Sequence, residues 1–324
     1  MQQQGTYPRL VGDIGGTNAR FGWIERQGGE LEGVVAYPAA DFPTLQDAMQ
    51  RYLDDHQRKP PRWCAIGIAN PVVGDQVKMT NHHWSFSISG VQRNLGMDRF
   101  LVINDFTALA LSLPALRADD LRQVGGGRAV AGAPLGLLGA GTGLGVSGLL
   151  PAMAGHGAIP VNGEGGHQTL AAMDDAEEAV IRALRERFGH VSAERALSGP
   201  GLVNLYEAVC KVRGAPVQPL KAADVSRRAV DGSDPQCVEA LELFCSFLGN
   251  VAGNIALTLG ALGGMYIGGG IVPRLGPWFD RSRFRERFES KGRFRGYLAG
   301  IPTYVVQASV SPALIGAARA LDDL

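Results

Sequence analysis

The first third of the chain alternates apolar runs with turn signals. Four short apolar segments are predicted to be strands: residues 9–13, 19–25, 64–69 and 100–104. Between them, residues 44–56 carry apolar side chains on one helical face, and Thr44 with Asp47 forms a capping-box-like start. The first two strands flank a tight glycine turn, and a helical run follows the fourth. This order predicts an α/β domain in which parallel pairing follows an initial antiparallel hairpin.

The opening pattern returns in the middle of the chain. An apolar strand meets the glycine turn 139–145 and an apolar strand leaves it, so that Thr17 and Thr142 lie 125 residues apart (142 − 17). One hairpin type occurring twice predicts two related lobes facing each other. The remainder is mainly helical. Further helices are predicted at 174–188, 199–212, 233 or 234 to 259, and 311–324, with strands at 265–268 and 301–307.

Composition favours a globular protein of ordinary domain size. The 324 residues are 45% apolar, and 31 basic residues balance 31 acidic ones. A chain of this kind has a sizeable core and no global field that attracts nucleic acid or an anionic membrane. The local basic stretch 281–295 is interpreted as a solvated helix face, with Phe284, Phe288 and Phe294 as core anchors.

Cysteine spacing and uncharged stretches bear on the compartment. Cys64, Cys210, Cys237 and Cys245 form no CxxC pair and fit reduced, buried thiols of a cytosolic protein. The N-terminal residues lack the charged and apolar regions of a secretory signal. Residues 129–163 and 243–273 carry no Asp, Glu, Lys or Arg. Glycines interrupt both stretches, which favours buried core over a membrane span.

Three glycine turns are candidates for nucleotide binding. In Asp13-Ile-Gly-Gly-Thr-Asn18, small residues let backbone N–H groups approach a phosphate chain, and the hydroxyl of Thr17 adds a donor. The turn 139–145 offers the same donors but fits neither a Rossmann nor a P-loop motif. The third turn, 268–270, would let a flat ring lie on the backbone. Taken singly, each is also compatible with ordinary turn chemistry.

Polar residues near strand ends are candidates for sugar chemistry. Asn104 and Asp105 end a predicted strand, where ligands of α/β sheets bind. A carboxylate there could accept the proton of an alcohol during phosphoryl transfer, although the pair could instead cap the next helix. Glu164, His167 and Glu194 suit the binding of several hydroxyl groups. Glu164 with His167 could alternatively be half of a metal site, and Glu194 a first-turn helix acid.

The three turns, in this order and spacing, resemble those of the sugar kinase, actin and Hsp70-like ATPase superfamily. Longer motifs are similar to those of the bacterial glucokinase family, and with the closing helix they cover nearly the whole chain. These motifs are LVGDIGGTNAR at 10–20, INDF at 103–106, GAGTGLG at 139–145, GEGGH at 163–167, HVSAER at 190–195, LSGPGLVNLY at 197–206 and GGGIVP at 268–273.

The resemblance implies a two-lobed actin-like (ribonuclease H-like) ATPase fold with a cleft between a small α/β lobe and a larger α+β lobe. Residues 6–115 plus 307–324 would form the small lobe and residues 116–306 the larger one. The implied activity is transfer of the γ-phosphate of Mg-ATP to the 6-hydroxyl of glucose, by a cytoplasmic homodimer without nucleic-acid or membrane partners. A kinase for mannose or N-acetylglucosamine, and a non-catalytic sugar sensor, are the alternatives.

The resemblance also implies residue roles. Asp105 would be the catalytic base, and the glucose hydroxyls would be bound by Asn104, Asp105, Glu164, His167 and Glu194. The nucleotide would be bound by Gly12, Asp13, Ile14, Gly15, Gly16, Thr17, Gly141, Thr142, Gly143, Gly269 and Gly270. Asp13 would hold Mg²⁺ through water. Residues 168–175 contain no cysteine, in contrast to the zinc motif of the related repressor and sugar kinase family, so no zinc is expected.

Overall fold

The computed structural model describes residues 5–152, 157–308 and 311–322. The chain divides into two compact units. The first comprises Met1–Arg117, Met153–Asn162 and Ala308–Leu324, and the second Ala118–Ala152 and Gly163–Gln307. The sequence-based boundaries assign residues 157–162 to the larger lobe, whereas the structure groups these residues with the first unit.

Strands and helices are numbered in chain order. The strands are β1 (Arg9–Ile14), β2 (Asn18–Ile24), β3 (Glu32–Pro38), β4 (Trp63–Ile68), β5 (Gln76–Lys78), β6 (Ser85–Ser87), β7 (Arg99–Asn104), β8 (Leu121–Val124), β9 (Leu135–Ala140), β10 (Leu144–Leu150), β11 (Ile159–Gly163), β12 (Met265–Gly268) and β13 (Thr303–Val306). The helices are α1 (Leu45–Asp55), α2 (Ile88–Asn94), α3 (Asp105–Ser112), α4 (Asp175–Phe188), α5 (Gly199–Arg213), α6 (Ala222–Asp231), α7 (Pro235–Leu259), α8 (Val272–Leu275), α9 (Pro277–Arg281), α10 (Phe284–Glu289), α11 (Arg295–Ala299) and α12 (Pro312–Ala320).

The sheet of the first unit has the strand order β3–β2–β1–β4–β7. β1 pairs antiparallel with β2 and parallel with β4, which in turn pairs parallel with β7. The predicted hairpin followed by parallel pairing is therefore confirmed. β3 was not predicted, because this edge strand has no buried residue and lacks the apolar alternation that marks a half-buried strand.

Four strands of the second unit, in the order β10–β9–β12–β13, repeat the arrangement of β2–β1–β4–β7. β9 pairs antiparallel with β10 and parallel with β12, and β12 pairs parallel with β13. In each unit, the first strand of a hairpin thus pairs parallel with a second strand, which pairs parallel with a third. The repeat predicted from the two glycine turns is confirmed at the level of strand topology.

Helices cover both faces of the first sheet. α1 begins at a capping box, in which Thr44 Oγ1 accepts from the Asp47 amide at 3.1 Å and the Thr44 amide donates to the Asp47 carboxylate at 3.1 Å. Its apolar face joins a core with Phe21 and Ile66, while α12 packs on the other face through Leu314. The amphipathic pattern and the cap therefore fix this helix as the sequence predicts.

The second unit is built around α7. This helix is long and apolar enough to cross a membrane by length and composition, but 83% of its apolar window is buried inside the protein. Phe244 and Phe247 are fully buried in the largest core cluster. These properties are those of a core helix. The four cysteines are also buried and unpaired, as predicted.

The interpretation of residues 281–295 as one helix is wrong in part. Phe284 and Phe288 are fully buried on α10, but Phe294 is 44% exposed. The helix ends at Glu289, and Gly292 has a φ of +56°, a left-handed conformation that breaks the helical phase. Phe294 therefore no longer lies on the buried face.

Close packing of α12 on α3 yields a stability prediction. A Cβ on Gly316 would lie 1.6 Å from the carbonyl oxygen of Ala108, so Gly316→Ala should push the two helices apart. We expect a loss of about 1–3 kcal/mol in the free energy of unfolding, measured by urea denaturation. Gly296→Ala is the matched control, since the described residues leave its Cβ position open within 4 Å. Equal stabilities of the two variants would contradict the packing argument.

Candidate active site

Three parallel strands of the first unit end level with one another. In register, Ile14 of β1 pairs with Ile68 of β4, and Ile68 pairs with Asn104 of β7. Neighbouring strands lie about 4.8 Å apart, so the first glycine turn and the Asn104–Asp105 pair are roughly 10 Å apart along one edge of the sheet. The structure therefore brings these two predicted groups together at the carboxyl edge where α/β proteins bind ligands.

The first glycine turn joins β1 to β2. The Gly15 amide donates to the Asn18 carbonyl at 2.9 Å, and a Cβ on Gly16 would lie 2.9 Å from the carbonyl oxygen of Asn81. Gly12 and Ile14 were also predicted to bind the nucleotide, but they lie within β1 rather than in the turn, and both are buried. A Cβ on Gly12 would lie 2.7 Å from Ile66, so packing of the sheet explains this glycine.

Asp13 is the predicted magnesium residue, and its carboxylate is held by two neighbours. Its Oδ2 accepts from the Arg20 guanidinium at 3.1 Å and from the Ser311 hydroxyl at 2.6 Å. No group of three His, Cys, Asp or Glu side chains that could hold a metal occurs among the described residues. Mg²⁺ usually keeps several waters and binds one or two carboxylates plus substrate phosphates. Asp13 fits that limited role and does not form a protein-only metal site.

Asn104 and Asp105 join β7 to α3. Asn104 is the N-cap, and its Oδ1 accepts from the amides of Phe106 at 2.9 Å and Thr107 at 3.2 Å. Asp105 Oδ1 also accepts from the Phe106 amide at 2.9 Å. Both side chains are partly exposed. The cap interpretation is thus correct for Asn104. It also fixes the direction of that side chain, whose Nδ2 donates to the Asn70 carbonyl at 3.5 Å.

In the second unit, the second and third glycine turns adjoin. β9 and β12 are paired so that Gly139 stands opposite Gly268. A Cβ on Gly139 would lie 2.6 Å from the Gly268 carbonyl carbon, and one on Gly269 would lie 2.3 Å from the Ala140 oxygen. Gly269 also has a φ of +79°. Only glycines allow the two main chains this approach, so the turns form one continuous backbone surface.

Glu164, His167 and Glu194 are grouped around the first residue of β10. Glu194 Oε2 accepts from the Leu144 amide at 2.9 Å. Glu164 precedes a short 3-10 turn that ends at His167. This turn packs on β10 so closely that a Cβ on Gly166 would lie 2.1 Å from the Leu144 carbonyl oxygen. The three predicted sugar residues are therefore brought together within the second unit. Asn104 and Asp105 belong to the first unit.

A pocket of about 860 Å³ opens beside the second turn. Its lining combines small side chains, which leave room for a flat ring, with two arginines. The lining residues are Gly141, Thr142, Gly199, Pro200, Leu202, Val203, Ala222, Ala223, Ser226, Arg227, Val230, Gly270, Ile271, Arg274 and Leu275. Three predicted nucleotide residues lie here, namely Gly141, Thr142 and Gly270, whereas Gly143 and Gly269 do not line the pocket.

Sequence reasoning missed the α6 side of this pocket. Ala222, Ser226 and Val230 recur every four residues along α6 and face the same space. Their spacing was available in the sequence, but small side chains at this spacing carry no specific chemical signal. Asn162 lies next to the start of α3, where its Oδ1 accepts from the Thr107 hydroxyl at 2.7 Å.

Comparison with known proteins identifies the family. The family model described as Glucokinase matches residues 10–324. The chain therefore belongs to the glucokinase family, and the resemblance inferred from the motifs is confirmed.

Individual relatives agree over the whole chain. The glucokinase of Aromatoleum aromaticum is 56% identical over 319 residues, covering 98% of this chain and 96% of the relative. The crystal structure of a glucokinase from an Antarctic psychrotroph is 37% identical, with a TM-score of 0.88 and coverage of 98% and 99%. A ROK-family glucokinase from Streptomyces griseus, solved with glucose and AMPPNP, has a TM-score of 0.62 at 18% identity, with coverage of 96% and 98%. The actin-like fold class is confirmed.

The cap at Asn104 can be tested apart from any ligand. Asn104→Ala should lose about 1 kcal/mol of unfolding free energy, since the first amides of α3 lose their acceptor. Asn104→Ser should stay within about 0.5 kcal/mol of the parent protein, because serine caps comparably. Urea denaturation measures both variants. Equal denaturation midpoints for the alanine and serine variants would show that the cap does not contribute.

Proposed function

We propose that this protein is a glucokinase that transfers the γ-phosphate of ATP to the 6-hydroxyl of glucose, giving glucose 6-phosphate and ADP. The observation that carries the proposal is the shared sheet edge of the first unit, where the carboxylate of Asp105 and the first glycine turn lie two strands apart. Phosphoryl transfer to an alcohol uses a group that accepts the hydroxyl proton and a loop that binds the phosphates. Family membership and whole-chain relatives named glucokinase support the same activity.

In this mechanism, Asp105 accepts the proton of the 6-hydroxyl as that oxygen attacks the γ-phosphorus. Asn104 orients the sugar through its amide, while Glu164, His167 and Glu194 bind further hydroxyls. The chemistry supports this division of roles, because carboxylates accept from hydroxyls and an amide NH₂ donates to them. Backbone amides of the Gly15–Thr17 and Gly141–Gly143 turns balance phosphate charge. Mg²⁺, when bound, would neutralise phosphate oxygens, with Asp13 holding its water ligands.

We further assign the adenosine moiety to the 860 Å³ pocket. Gly270 and Ala222 leave space for a base, and the arginines at 227 and 274 offer cationic groups to the nucleotide. The ROK-family glucokinase of Streptomyces griseus, solved with AMPPNP, supports a nucleotide in this fold. We also propose that the protein is a cytoplasmic homodimer that acts in glycolysis and has no nucleic-acid or membrane partner.

The direct test is a coupled assay of sugar-dependent ADP release from Mg-ATP, with glucose, mannose, fructose and N-acetylglucosamine in parallel. Fastest turnover on glucose supports the proposal. Fastest turnover on another hexose overturns the specificity and keeps the mechanism. Folded protein without turnover on any of the four sugars contradicts the kinase assignment and favours a sugar-sensing role.

Asp105→Asn tests the base. The substitution keeps size and most hydrogen bonding but removes the proton acceptor, so kcat should fall roughly 10²–10⁴-fold. Glucose affinity, measured by calorimetry without nucleotide, should change much less. Asp175→Asn on the exposed first turn of α4 controls for removal of one surface carboxylate. Near-normal kcat of Asp105→Asn would show that another group acts as the base.

Ala223→Leu tests the nucleotide pocket. Ala223 is exposed on α6 and lines the pocket, so leucine should leave the helix intact while filling space for the base. We expect the KM for ATP to rise roughly tenfold with a small change in the KM for glucose. Ala176→Leu on α4 is the matched control, because Ala176 is exposed and lies outside the pocket. An unchanged KM for ATP with Ala223→Leu would show that the adenosine does not bind in this pocket.

A further inference from the structure

A short segment of the second unit contacts the second glycine turn at both of its ends. The segment runs from Glu194 to Gly199 and is called the bridge below. At one end, Glu194 Oε2 accepts from the Leu144 amide at 2.9 Å. At the other end, the Gly199 amide donates to the Gly141 carbonyl at 2.8 Å. The four residues 141–144 therefore contact both a proposed sugar ligand and the first residue of α5.

Ser198 closes the bridge internally. Its hydroxyl donates to the Glu194 carbonyl at 2.9 Å and accepts from the Gly201 amide at 2.9 Å, so it also caps α5. The side chain is 3% exposed, and water does not compete strongly for these two bonds. Ser198 thus ties the main chain of Glu194 to the helix whose first turn lines the 860 Å³ pocket.

The position of the Glu194 carboxylate explains why residue 143 is a glycine. A Cβ at this position would lie 2.4 Å from Glu194 Oε2, closer than real Cβ contacts allow. Gly143 does not have a positive φ, so backbone conformation does not require glycine here. The missing side chain makes room for the carboxylate, which can then reach the Leu144 amide.

We propose that the second glycine turn positions the sugar-binding carboxylate of Glu194 through the bridge, with Gly143 and Ser198 as positioning residues, and thereby couples sugar binding to nucleotide binding. The inference rests on the proposed function, since it takes Glu194 as a ligand of glucose. Gly141 and Gly199 line the nucleotide pocket and are hydrogen-bonded to each other. Any shift of the turn on nucleotide binding is therefore transmitted to Glu194, and the converse holds by linkage.

The contacts are strong enough for such coupling. The bond between the Leu144 amide and the Glu194 carboxylate is charge-assisted, and such bonds are stronger than those between neutral partners. Displacement of the Glu194 carboxylate would leave the Leu144 amide without this acceptor and would change the orientation of the carboxylate. A ligand misplaced by about 1 Å can cost up to 10²-fold in an enzyme reaction.

The experiment compares Gly143→Ala and Ser198→Ala with the parent protein. Calorimetry gives the Kd of glucose without nucleotide and with saturating AMPPNP and Mg²⁺. We expect each variant to weaken glucose binding without nucleotide by about tenfold or more. The ratio of the two glucose Kd values, which measures coupling, should move towards one in both variants. The substitutions act at opposite ends of the bridge, so one folded variant is sufficient for the test.

Two controls separate positioning from stability. Ser87→Ala removes a serine N-cap of the same kind, which accepts from the Gly90 amide at 2.9 Å at the start of α2. Gly296→Ala adds a methyl where the described residues leave space. Both controls should keep the parent glucose Kd and coupling ratio, and thermal melting verifies that every variant is folded.

Two failures are distinguishable. If the parent protein binds glucose and phosphorylates it, but Gly143→Ala and Ser198→Ala keep the parent Kd and ratio, the bridge does not position Glu194 and the inference is overturned. If the parent protein itself neither binds nor phosphorylates glucose, the proposed function fails, and the inference fails with it.

Discussion

The second unit depends on a close approach of two main chains. Where β9 and β12 end, Gly139 and Gly269 come so near to the opposing backbone that a single methyl group would force the strands apart. Close-packed interiors do not absorb such a displacement cheaply. The second and third glycine turns are therefore held against each other, and residues of both line the pocket. The positions of the neighbouring pocket and of the first residue of β10 depend on this close approach.

Much of the fold follows from local signals. The hairpins around the two turns, the capped helix α1 and the strand that ends at Asn104 were each marked by apolar periodicity and a specific turn or cap. Errors arose where such signals were weak. Phe294 was assigned to a buried face because a helical repeat was continued through Gly292, whose left-handed conformation is not encoded by periodicity.

Candidate side chains could be chosen from the sequence, whereas the main-chain groups that hold them could not. Asn104, Asp105, Glu164, His167 and Glu194 have functional groups that chemistry selects. The Leu144 amide has no such signature, because every residue but proline carries one. Its partner lies 50 positions away along the chain, and only the folded structure brings the two together. The α6 wall of the pocket was missed for a similar reason, since its small residues matter by what they leave empty.

The cap at Asn104 has a consequence for the hydrogen bond to the sugar that we propose for this residue. Its Oδ1 is committed to two amides of α3, so the side-chain amide can present only N–H to a ligand. A sugar oxygen facing it must accept, and its own proton then points to another partner. Asp105, as a carboxylate, can only accept. In the proposed site, the helix cap thus determines which hydrogen-bonding group Asn104 offers before any sugar binds.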